Sequence, residues 1–421
     1  MPGSEDRRPL AGIRVIDLST FVTGGFATTM LSNQGASVIK VERPGKGDDI
    51  RHSGPPFVQS EDYTGPGTSA SPEGESPYYW TVNQGKQSIE LNLKRESGRT
   101  ILQELVRDAD ILIENFRPGT AQRLGVDYEA TKEWNPQIIY CSISAFGDSG
   151  PWRDRPGYDL LIQGLSGLMS VTGEPERQPV KVGVPITDLI TGMWASFGIL
   201  NALYRRELTG EGDRVELGML DATLPWLTKQ AGKAFEDEET GRMGTKDPVL
   251  APYQMYPTAD GYLNVACGNQ RLWETLCEAI HREDLITDDR FKSNGDRVEH
   301  MEALEEELTT VFSKKSTAAW TEILVEDHGL PVGPVHSVDE ALANEQTKAR
   351  DVVSSIHHPA VGDIPVIDHP LNYDNASTGF DGPPPLLGEH TMAILQDIGY
   401  SKEEIKGLIE DGAIPAENTP L

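Results

Sequence analysis

A single carboxylate stands out in the stretch "RDRPGYDLLIQGLSGLMSVTG", residues 153–173. Asp159 follows a Pro-Gly turn and precedes an apolar run, which is the usual position of a helix N-cap. The same residue could instead be placed there to take part in chemistry. This stretch alone leaves both the capping role and the chemical role open.

Other catalytic patterns are missing from the sequence around Asp159. No histidine occurs between His52 and His281, so Asp159 has no histidine partner nearby in sequence, and no G-x-S-x-G or catalytic-cysteine pattern is present. The adjacent His357 and His358 would point apart on a strand, and metal-ligand spacing is missing elsewhere. We therefore expect no metal site.

Cationic side chains follow two predicted strands. The segment "VERPGKGDDIR" contains Arg43, Lys46 and Arg51, and "ENFRPGTAQRLG" contains Asn115, Arg117 and Arg123. A third segment, "STFVTGGFATTML", offers two glycines at a helix start, where backbone N–H groups favour an anion. These patterns indicate an anion site, although solvated surface charges would give the same spacing.

Short strands alternate with helices in the N-terminal half of the chain, which predicts an α/β fold with a doubly wound parallel sheet. Ligands of such sheets bind at the carboxyl ends of the strands. A long helix near 187–208 and a strand in "DRVELGML" follow, and a surface loop or mobile lid is predicted at 54–77. The predicted strands are 13–19, 36–43, 87–94, 111–116 and 137–144.

Length and patterning predict two domains, a large Rossmann-like domain over 1–222 and a smaller α+β domain over 223–344. We find neither an uninterrupted apolar run of membrane-spanning length nor a secretory signal at the N-terminus. Three cysteines give no disulfide framework, so a reducing cytoplasm is the expected location. They are Cys141, Cys267 and Cys277.

The charge balance is strongly acidic, with 66 Asp and Glu against 37 Lys and Arg and a net charge of −29. Because no basic stripe could neutralise phosphates, nucleic-acid binding is not expected. Acidic residues spread over the whole chain keep a protein soluble at high salt, which favours a halophilic host. An ordinary acidic enzyme would show a similar balance.

Six segments in order resemble those of family III CoA transferases (the formyl-CoA transferase and CaiB-BaiF type) over residues 9–415. They are "LAGIRVIDLS", "GASVIKVERPGKGDDIR", "NQGKQSIELNL", "ILIENFRPGTAQRLGVDY", "SGPWRDRPGYDLLIQGLSGLMSVTG" and "PLLGEHTMAILQDIGYSKEEIKGLIEDG". The resemblance implies a two-domain chain whose C-terminal segment, 345–421, returns to the large domain. It also implies an interlocked, ring-like homodimer with no membrane partner.

The resemblance implies that Asp159 is the catalytic nucleophile. Its carboxylate would attack the thioester carbonyl of a donor acyl-CoA, giving a mixed anhydride and CoA thiolate. The thiolate would then form an aspartyl–CoA thioester and release the donor acid. The acceptor carboxylate would reverse these steps. No cofactor would be bound permanently, because coenzyme A and acyl-CoA are substrates. The CoA-binding positions of the family match Phe21, Val22, Arg43, Asn115, Phe116, Arg123 and Met193, whereas Ser144 replaces a lysine found in some members.

The substrates follow less directly from the resemblance. Succinyl-CoA is the expected donor, and a C4 or C5 dicarboxylate such as mesaconate, citramalate or malate is the expected acceptor. A second carboxylate needs a cation, for which Arg51, His52 and Lys86 are candidates. The alternatives are formyl-CoA:oxalate transfer and 2-methylacyl-CoA racemisation, although a racemase would need a histidine that residues 120–158 lack. A non-enzymatic acyl-CoA-binding role would not need Asp159 at all.

Overall fold

The structure, a computed structural model, describes residues 8–59, 71 and 73–416. The chain divides into two compact units. The first unit contains the described residues of 1–166, 183–227 and 347–421, and the second contains 167–182 and 228–346. Each unit has a β-sheet and a hydrophobic core of its own.

The first unit is built on a parallel six-stranded sheet with the strand order β3-β2-β1-β4-β5-β6. The order reverses between β1 and β4, and this reversal marks the switch point at which doubly wound sheets bind their ligands. Its strands are β1 (Arg14–Asp17), β2 (Ser37–Glu42), β3 (Lys86–Glu90), β4 (Ile111–Glu114), β5 (Ile139–Ser144) and β6 (Asp213–Gly218).

Two smaller antiparallel sheets complete the strand inventory of the described residues. The second unit has the order β7-β8-β9, and a hairpin of β10 and β11 belongs to the first unit. These strands are β7 (Tyr253–Pro257), β8 (Tyr262–Ala266), β9 (Val332–Pro334), β10 (Val353–His358) and β11 (Gly362–Ile367).

The helices of the first unit precede or follow its strands, as a doubly wound fold requires. In chain order the α-helices of both units are α1 (Val22–Asn33), α2 (Pro77–Trp80), α3 (Glu96–Arg107), α4 (Thr120–Leu124), α5 (Tyr128–Trp134), α6 (Asp159–Leu165), α7 (Ile186–Thr209), α8 (Met219–Thr223), α9 (Thr228–Phe235), α10 (Gln270–Ala279), α11 (Asp284–Thr287), α12 (Asn294–Glu299), α13 (Met301–Phe312), α14 (Thr317–Thr321), α15 (Val338–Ala343), α16 (Glu345–Ala349), α17 (Thr391–Asp397) and α18 (Lys402–Asp411).

Both faces of the six-stranded sheet are covered, so its central strands β1 and β4 have buried apolar residues on both sides. On one face Val15 and Ile113 belong to a buried cluster that includes Ile199 of α7. On the other face Ile16 belongs to a separate cluster, and Leu102 of α3 lies in the same cluster. Alternate residues of β1 thus face opposite layers, which is the period of two expected for a strand.

Helix α7 packs closely against α1, and a glycine makes this approach possible. A Cβ atom at Gly192 would lie 2.8 Å from the carbonyl oxygen of Thr23, which is too close for any side chain. This close packing brings the first turn of α7 to the first turn of α1, where Thr23 Oγ1 donates a hydrogen bond of 2.5 Å to Asp188 Oδ1. The helix pair therefore positions polar groups as well as the core.

Helix α7 also has the length and apolar composition of a membrane span, although half of its most apolar stretch is buried inside the protein. Among the described residues it is the helix that meets those two criteria. Several of its apolar side chains are exposed, including Phe197, Tyr204 and Leu208.

The expected fold class is confirmed, with a parallel α/β sheet in one unit and a smaller antiparallel sheet in the other. All five strands predicted in the N-terminal part are present, and the strand predicted in "DRVELGML" is β6. The loop predicted at 54–77 lies partly outside the described residues, since 60–70 and 72 are not among them. In its described part, Val58 and Glu75 form an isolated β-bridge.

Candidate active site

A cavity of about 860 Å³ opens at the carboxyl ends of β1 to β5 in the first unit. Thr20 follows β1, Arg43 follows β2, Lys94 comes after β3, Asn115 follows β4, and Ala145 follows β5; all five line the cavity. A volume of this size lies within the range of about 300–1,000 Å³ typical of ligand pockets. The cavity is therefore where the strand order predicts a ligand.

Five cationic side chains line this cavity, which is notable in such an acidic chain. Arg43 is half-exposed and donates to the carbonyl oxygen of Gly47, with an ion pair of 2.9 Å to Asp49. Arg123 donates to Thr120 Oγ1 at 2.8 Å. Arginine suits phosphate groups because its planar fork donates two parallel hydrogen bonds. The cations are Arg43, Lys94, Arg117, Arg123 and Arg155.

The loop after β1 is held in a strained conformation at the cavity. Phe21 has a φ of 61°, a region that residues other than glycine rarely adopt, at a cost of about 1–3 kcal/mol. Its N–H donates to Asp48 Oδ1 at 2.9 Å, and the side chain of Asn115 exchanges two hydrogen bonds with the backbone of Thr20. Such strain persists only where surrounding contacts over-determine it, as these do.

Buried ion pairs support this loop. Lys40 Nζ lies 2.8 Å from Asp48 Oδ2 and donates to the carbonyl oxygen of Ser19 at 2.9 Å. Burial opposes the ionisation of Asp17, but Lys40 and Lys86 outweigh it and hold the pKa of Asp17 at about 2. The charges are therefore paired and hydrogen bonded, which a buried charge requires.

The carboxylate of Asp159 is held by three hydrogen bonds. Oδ1 accepts both the N–H and the hydroxyl of Thr187, each at 2.9 Å, and Oδ2 accepts from Gln163 Nε2 at 2.8 Å. Thr187 and Gln163 are fully buried, whereas Asp159 is half-buried. A carboxylate fixed in this way is positioned to react rather than to rotate freely.

The simple capping interpretation of Asp159 is wrong. Tyr158 is the N-cap of α6, Asp159 is the first helical residue, and no side chain caps this helix. The carboxylate instead accepts the N–H of Thr187, in the first turn of α7, whose own N-cap Pro185 supplies no side-chain hydrogen bond. Asp159 therefore caps the neighbouring long helix, whose dipole favours an anion at that end.

The turn before Asp159 explains why the sequence has a glycine at position 157. A Cβ atom at Gly157 would lie 2.5 Å from the Cβ atom of Ala145, at the end of β5. The absence of a side chain allows the turn to pack on the sheet edge, and Tyr158 then lines the cavity with Phe21, their ring centroids 6.3 Å apart. The chain enters α6 at this point, which places Asp159 beside the cavity.

A second carboxyl group, Asp188, lies in the same site. Burial raises its pKa to about 6, the hydrogen bond from Thr23 opposes that rise, and the negative charge of Asp159 adds to it. Both carboxylates act on Tyr78. Burial raises the pKa of its phenol, and the negative charges of Asp188 and Asp159 raise it further. Asp188 lines the cavity.

The cavity brings together five of the seven residues predicted to contact CoA: Phe21, Arg43, Asn115, Phe116 and Arg123. Val22 is buried in a hydrophobic cluster and Met193 is exposed on α7, and neither is among the described residues that line the cavity. Asp159 is not among them either, although Tyr158 and Asp188 are. Ser144 does line it, with a buried Oγ that has no hydrogen-bond partner in the described part of the chain.

The candidate cations for a second substrate carboxylate do not reach this cavity. Arg51 is buried and forms two hydrogen bonds of 2.8 Å with Glu42, and Lys86 is buried among four acceptors that include Asp17. His52 bonds to the backbone of Lys46. Arg51 and Lys86 are thus bound by groups of the protein itself, whereas His52 is exposed and stays a prediction.

Sequence reasoning missed the residues that hold Asp159. Gln163 could have been found, because it lies four residues after Asp159 on the same face of α6. Thr187 and Asp188 lie in "VPITDLITG", where nothing in the sequence connects them with a residue about thirty positions earlier. Tyr78 likewise reaches the site only through the tertiary fold.

A doubly wound sheet whose cavity has five cations and four carboxylates in its lining, with the fixed carboxylate of Asp159 nearby, is compatible with an α/β enzyme that handles an anionic ligand. The chain belongs to CoA-transferase family III, whose family model matches residues 10–391. It is therefore a CoA transferase, a class of enzymes that use CoA thioesters as substrates.

Named relatives and a solved structure agree with this assignment. The chain is 36% identical to a succinyl-CoA:glutarate CoA-transferase of Mus musculus, over 99% of this chain and 92% of the relative. It is 33% identical to a succinyl-CoA:mesaconate CoA-transferase of Haloarcula hispanica, over 93% of this chain and 96% of the relative. The crystal structure of a CaiB/BaiF family protein from Brucella suis matches with a TM-score of 0.82 and 36% identity, over 93% of this chain and 100% of that one.

Proposed function

We propose that the protein transfers CoA from succinyl-CoA to a small dicarboxylate through a thioester on Asp159. The observation that carries this proposal is the carboxylate of Asp159, which three hydrogen bonds fix next to a cavity that five cations line. A carboxylate is a weak nucleophile, so positioning and charge stabilisation must supply most of its reactivity. The three hydrogen bonds to Asp159 support the first, and the cations of the cavity support the second.

The cavity suits the CoA part of the substrate. Cations at its wall match the phosphates of CoA, and Phe21 offers an aromatic ring, 37% exposed, against which an adenine can pack. We propose that Arg43, Arg123, Asn115 and Phe116 contact CoA together with Phe21. Val22 and Met193 remain predictions from the family resemblance, without support from the cavity.

The names of the relatives support dicarboxylates as acceptors. Relatives that act on glutarate and on mesaconate span nearly the whole chain, so a C5 dicarboxylate is the acceptor we propose, with succinyl-CoA as donor. Citramalate belongs to the same size class and is kept as a candidate. Arg155 lines the cavity only four residues before Asp159 and is the proposed partner of the second carboxylate.

We propose that the chain works as an interlocked homodimer, the arrangement that the family resemblance implies. Support comes from apolar side chains of α7 that are exposed in the single chain. Phe197 is 57% exposed, and Tyr204 and Leu208 are each 69% exposed. Contiguous exposed apolar side chains mark surfaces that another chain covers. A solution mass equal to a single chain would contradict this part of the proposal.

The racemase alternative gains no support from the site. A racemase needs a histidine opposite the aspartate, and none of the described residues that line the cavity is a histidine. Formyl-CoA:oxalate transfer would use the same nucleophile and differs only in the acids exchanged. The acceptor assay compares oxalate with the C5 acids directly.

The experiment supplies succinyl-CoA with glutarate, mesaconate, citramalate or oxalate, and measures each product acyl-CoA by chromatography. The wild type is expected to use at least one C5 acid, and Asp159→Ala is expected to be inactive. Asp154→Ala is the matched control, because Asp154 is an exposed aspartate five positions earlier in the chain. Activity in Asp159→Ala equal to the wild type would overturn the proposed nucleophile.

A further inference from the structure

The two oxygen atoms of Asp159 have different partners. Oδ1 accepts two hydrogen bonds, one from the N–H and one from the hydroxyl of Thr187, whereas Oδ2 accepts one, from Gln163 Nε2. A carboxylate oxygen has two lone-pair positions, so those of Oδ1 are both used and one on Oδ2 is free. The two oxygens are therefore chemically distinct before any substrate binds.

Thr187 is itself held rigidly, so this difference persists. It is fully buried in the first turn of the 24-residue helix α7, where its N–H has no partner within the helix. Its carbonyl oxygen accepts from Thr191 Oγ1 at 2.6 Å. A half-turn of the Asp159 carboxylate would exchange Oδ1 and Oδ2, and it would break all three hydrogen bonds at once.

We propose that Thr187 forms the oxyanion site for the carbonyl of Asp159, and that Asp159 uses Oδ2 alone as its nucleophilic atom. The inference rests on the proposed function, since it concerns the same aspartyl intermediates. Two donors at hydrogen-bond distance, one of them at the N-terminus of a long helix, are the geometry that stabilises a developing oxyanion. Thr187 then contacts a reacting atom and qualifies as a catalytic residue.

Each bond in the sequence can be assigned to an oxygen. Oδ2 attacks the donor thioester carbonyl, the C–S bond breaks, and CoA leaves as a thiolate from a mixed anhydride bridged by Oδ2. The thiolate attacks Cγ of Asp159, the negative charge moves to Oδ1 next to Thr187, and the Cγ–Oδ2 bond breaks. The donor acid therefore departs with the original Oδ2, and the thioester retains Oδ1.

The acceptor replaces the oxygen that was lost. One of its carboxylate oxygens attacks Cγ, Oδ1 again bears the negative charge, and the thiolate is expelled. The thiolate then attacks the acceptor carbonyl, and Asp159 is released as a carboxylate whose Oδ2 came from the acceptor. No proton is gained or lost in any step. After one turnover Asp159 has one new oxygen and one original oxygen.

The test uses an acceptor whose carboxylate oxygens are all the heavy isotope, in ordinary water with succinyl-CoA. After many turnovers the reaction is quenched, the protein is digested, and the mass of the peptide that contains Asp159 is measured by mass spectrometry. The proposal predicts that the wild type gains one heavy oxygen and stays at one, because Oδ1 never leaves Thr187. A gain that continues to two heavy oxygens would show that the carboxylate rotates, which overturns the assignment of Thr187.

A peptide that gains no heavy oxygen while product forms would overturn the proposed aspartyl intermediate itself, and the inference with it. The two failures are thus distinguishable by the count alone. Thr187→Val, which removes only the hydroxyl, is expected to lower kcat by about a hundredfold. The number of heavy oxygens on Asp159 should then rise to two. Thr187→Ser should restore both the rate and the single exchange, which a role in packing would not explain.

Discussion

Lys40 and Asp48 form a buried ion pair, with 2.8 Å between Nζ and Oδ2, and the other oxygen of Asp48 accepts the N–H of Phe21. One carboxylate thus joins a buried cation to the loop that lines the cavity. The pair holds Phe21 of this loop at its positive φ, so the stability of the unit and the shape of the site depend on the same contact.

Replacing one partner of this pair tests the dependence. Asp48→Asn is expected to reduce the free energy of unfolding by about 3 kcal/mol, because buried Lys40 loses its nearest carboxylate and keeps only the more distant one of Asp17, at 3.9 Å. Lys46→Ala removes an ion pair with Asp49 whose side chains are 57% and 34% exposed, and it should cost less than about 1 kcal/mol. Urea unfolding measures both, and equal effects would contradict the account.

Asp188 makes the stability of the protein pH-dependent. Its pKa is about 6 in the folded chain, above the ordinary value of 3.8, so the folded state holds the proton more tightly than the unfolded state. This contribution is fully present below about pH 4 and is lost as the pH rises through 6, by at most about 3 kcal/mol. Thermal unfolding from pH 4 to 7 should show this loss.

Asp188→Asn should remove that dependence, because the amide keeps the shape of the side chain and does not titrate. The variant should gain stability relative to the wild type as the pH rises from 4 to 7. Asp154→Asn, at an exposed position, should follow the wild-type profile. A difference between Asp188→Asn and wild type that stays constant with pH would refute the assignment.

Arg123 provides the test of the cavity as the CoA site. Arg123→Gln is expected to raise KM for the acyl-CoA by tenfold or more, since a hydrogen bond to a charged group contributes about 1.5–3 kcal/mol. The value of kcat should change little, because Arg123 lies at the wall of the cavity and does not bond to Asp159. Steady-state kinetics with varied acyl-CoA measures both parameters.

Arg95→Gln is the matched control, since Arg95 is exposed and does not line the cavity. Its KM should equal that of the wild type. If both variants raise KM alike, net charge rather than contact explains the effect, and the cavity loses its assignment as the CoA site.

The sheet was predictable because its strands are short, apolar and separated by helices. The segments predicted at 111–116 and 137–144 correspond to Ile111–Glu114 and Ile139–Ser144, and the long helix predicted at 187–208 is Ile186–Thr209. The strand predicted at 111–116 extends two residues beyond β4, because residues 115 and 116 lie outside the sheet. There the chain leaves the sheet to line the cavity, and this turn is set by the hydrogen bonds of Asn115 rather than by hydropathy.

The site was predictable only where it follows strand ends. Asn115 and Arg43 lie just past strands and Arg123 lies in α4, the helix that follows β4, so the topology brings the three together. Thr187 binds Asp159 across 28 positions of the chain, and this contact exists because α7 packs against α6 and α1. Tertiary packing also explains why Lys86 was a candidate partner for a substrate carboxylate. Its position in a strand gives no sign that four acceptors of the protein surround it.

The central claim is that the carboxylate of Asp159 bears CoA during the reaction. The most direct measurement is the intact mass of the protein after brief mixing with succinyl-CoA and acid quenching, for wild type, Asp159→Ala and Asp154→Ala. The account predicts an adduct of CoA size on the wild type and on Asp154→Ala, and none on Asp159→Ala. An adduct of equal yield on Asp159→Ala would place the thioester on another residue and contradict the account.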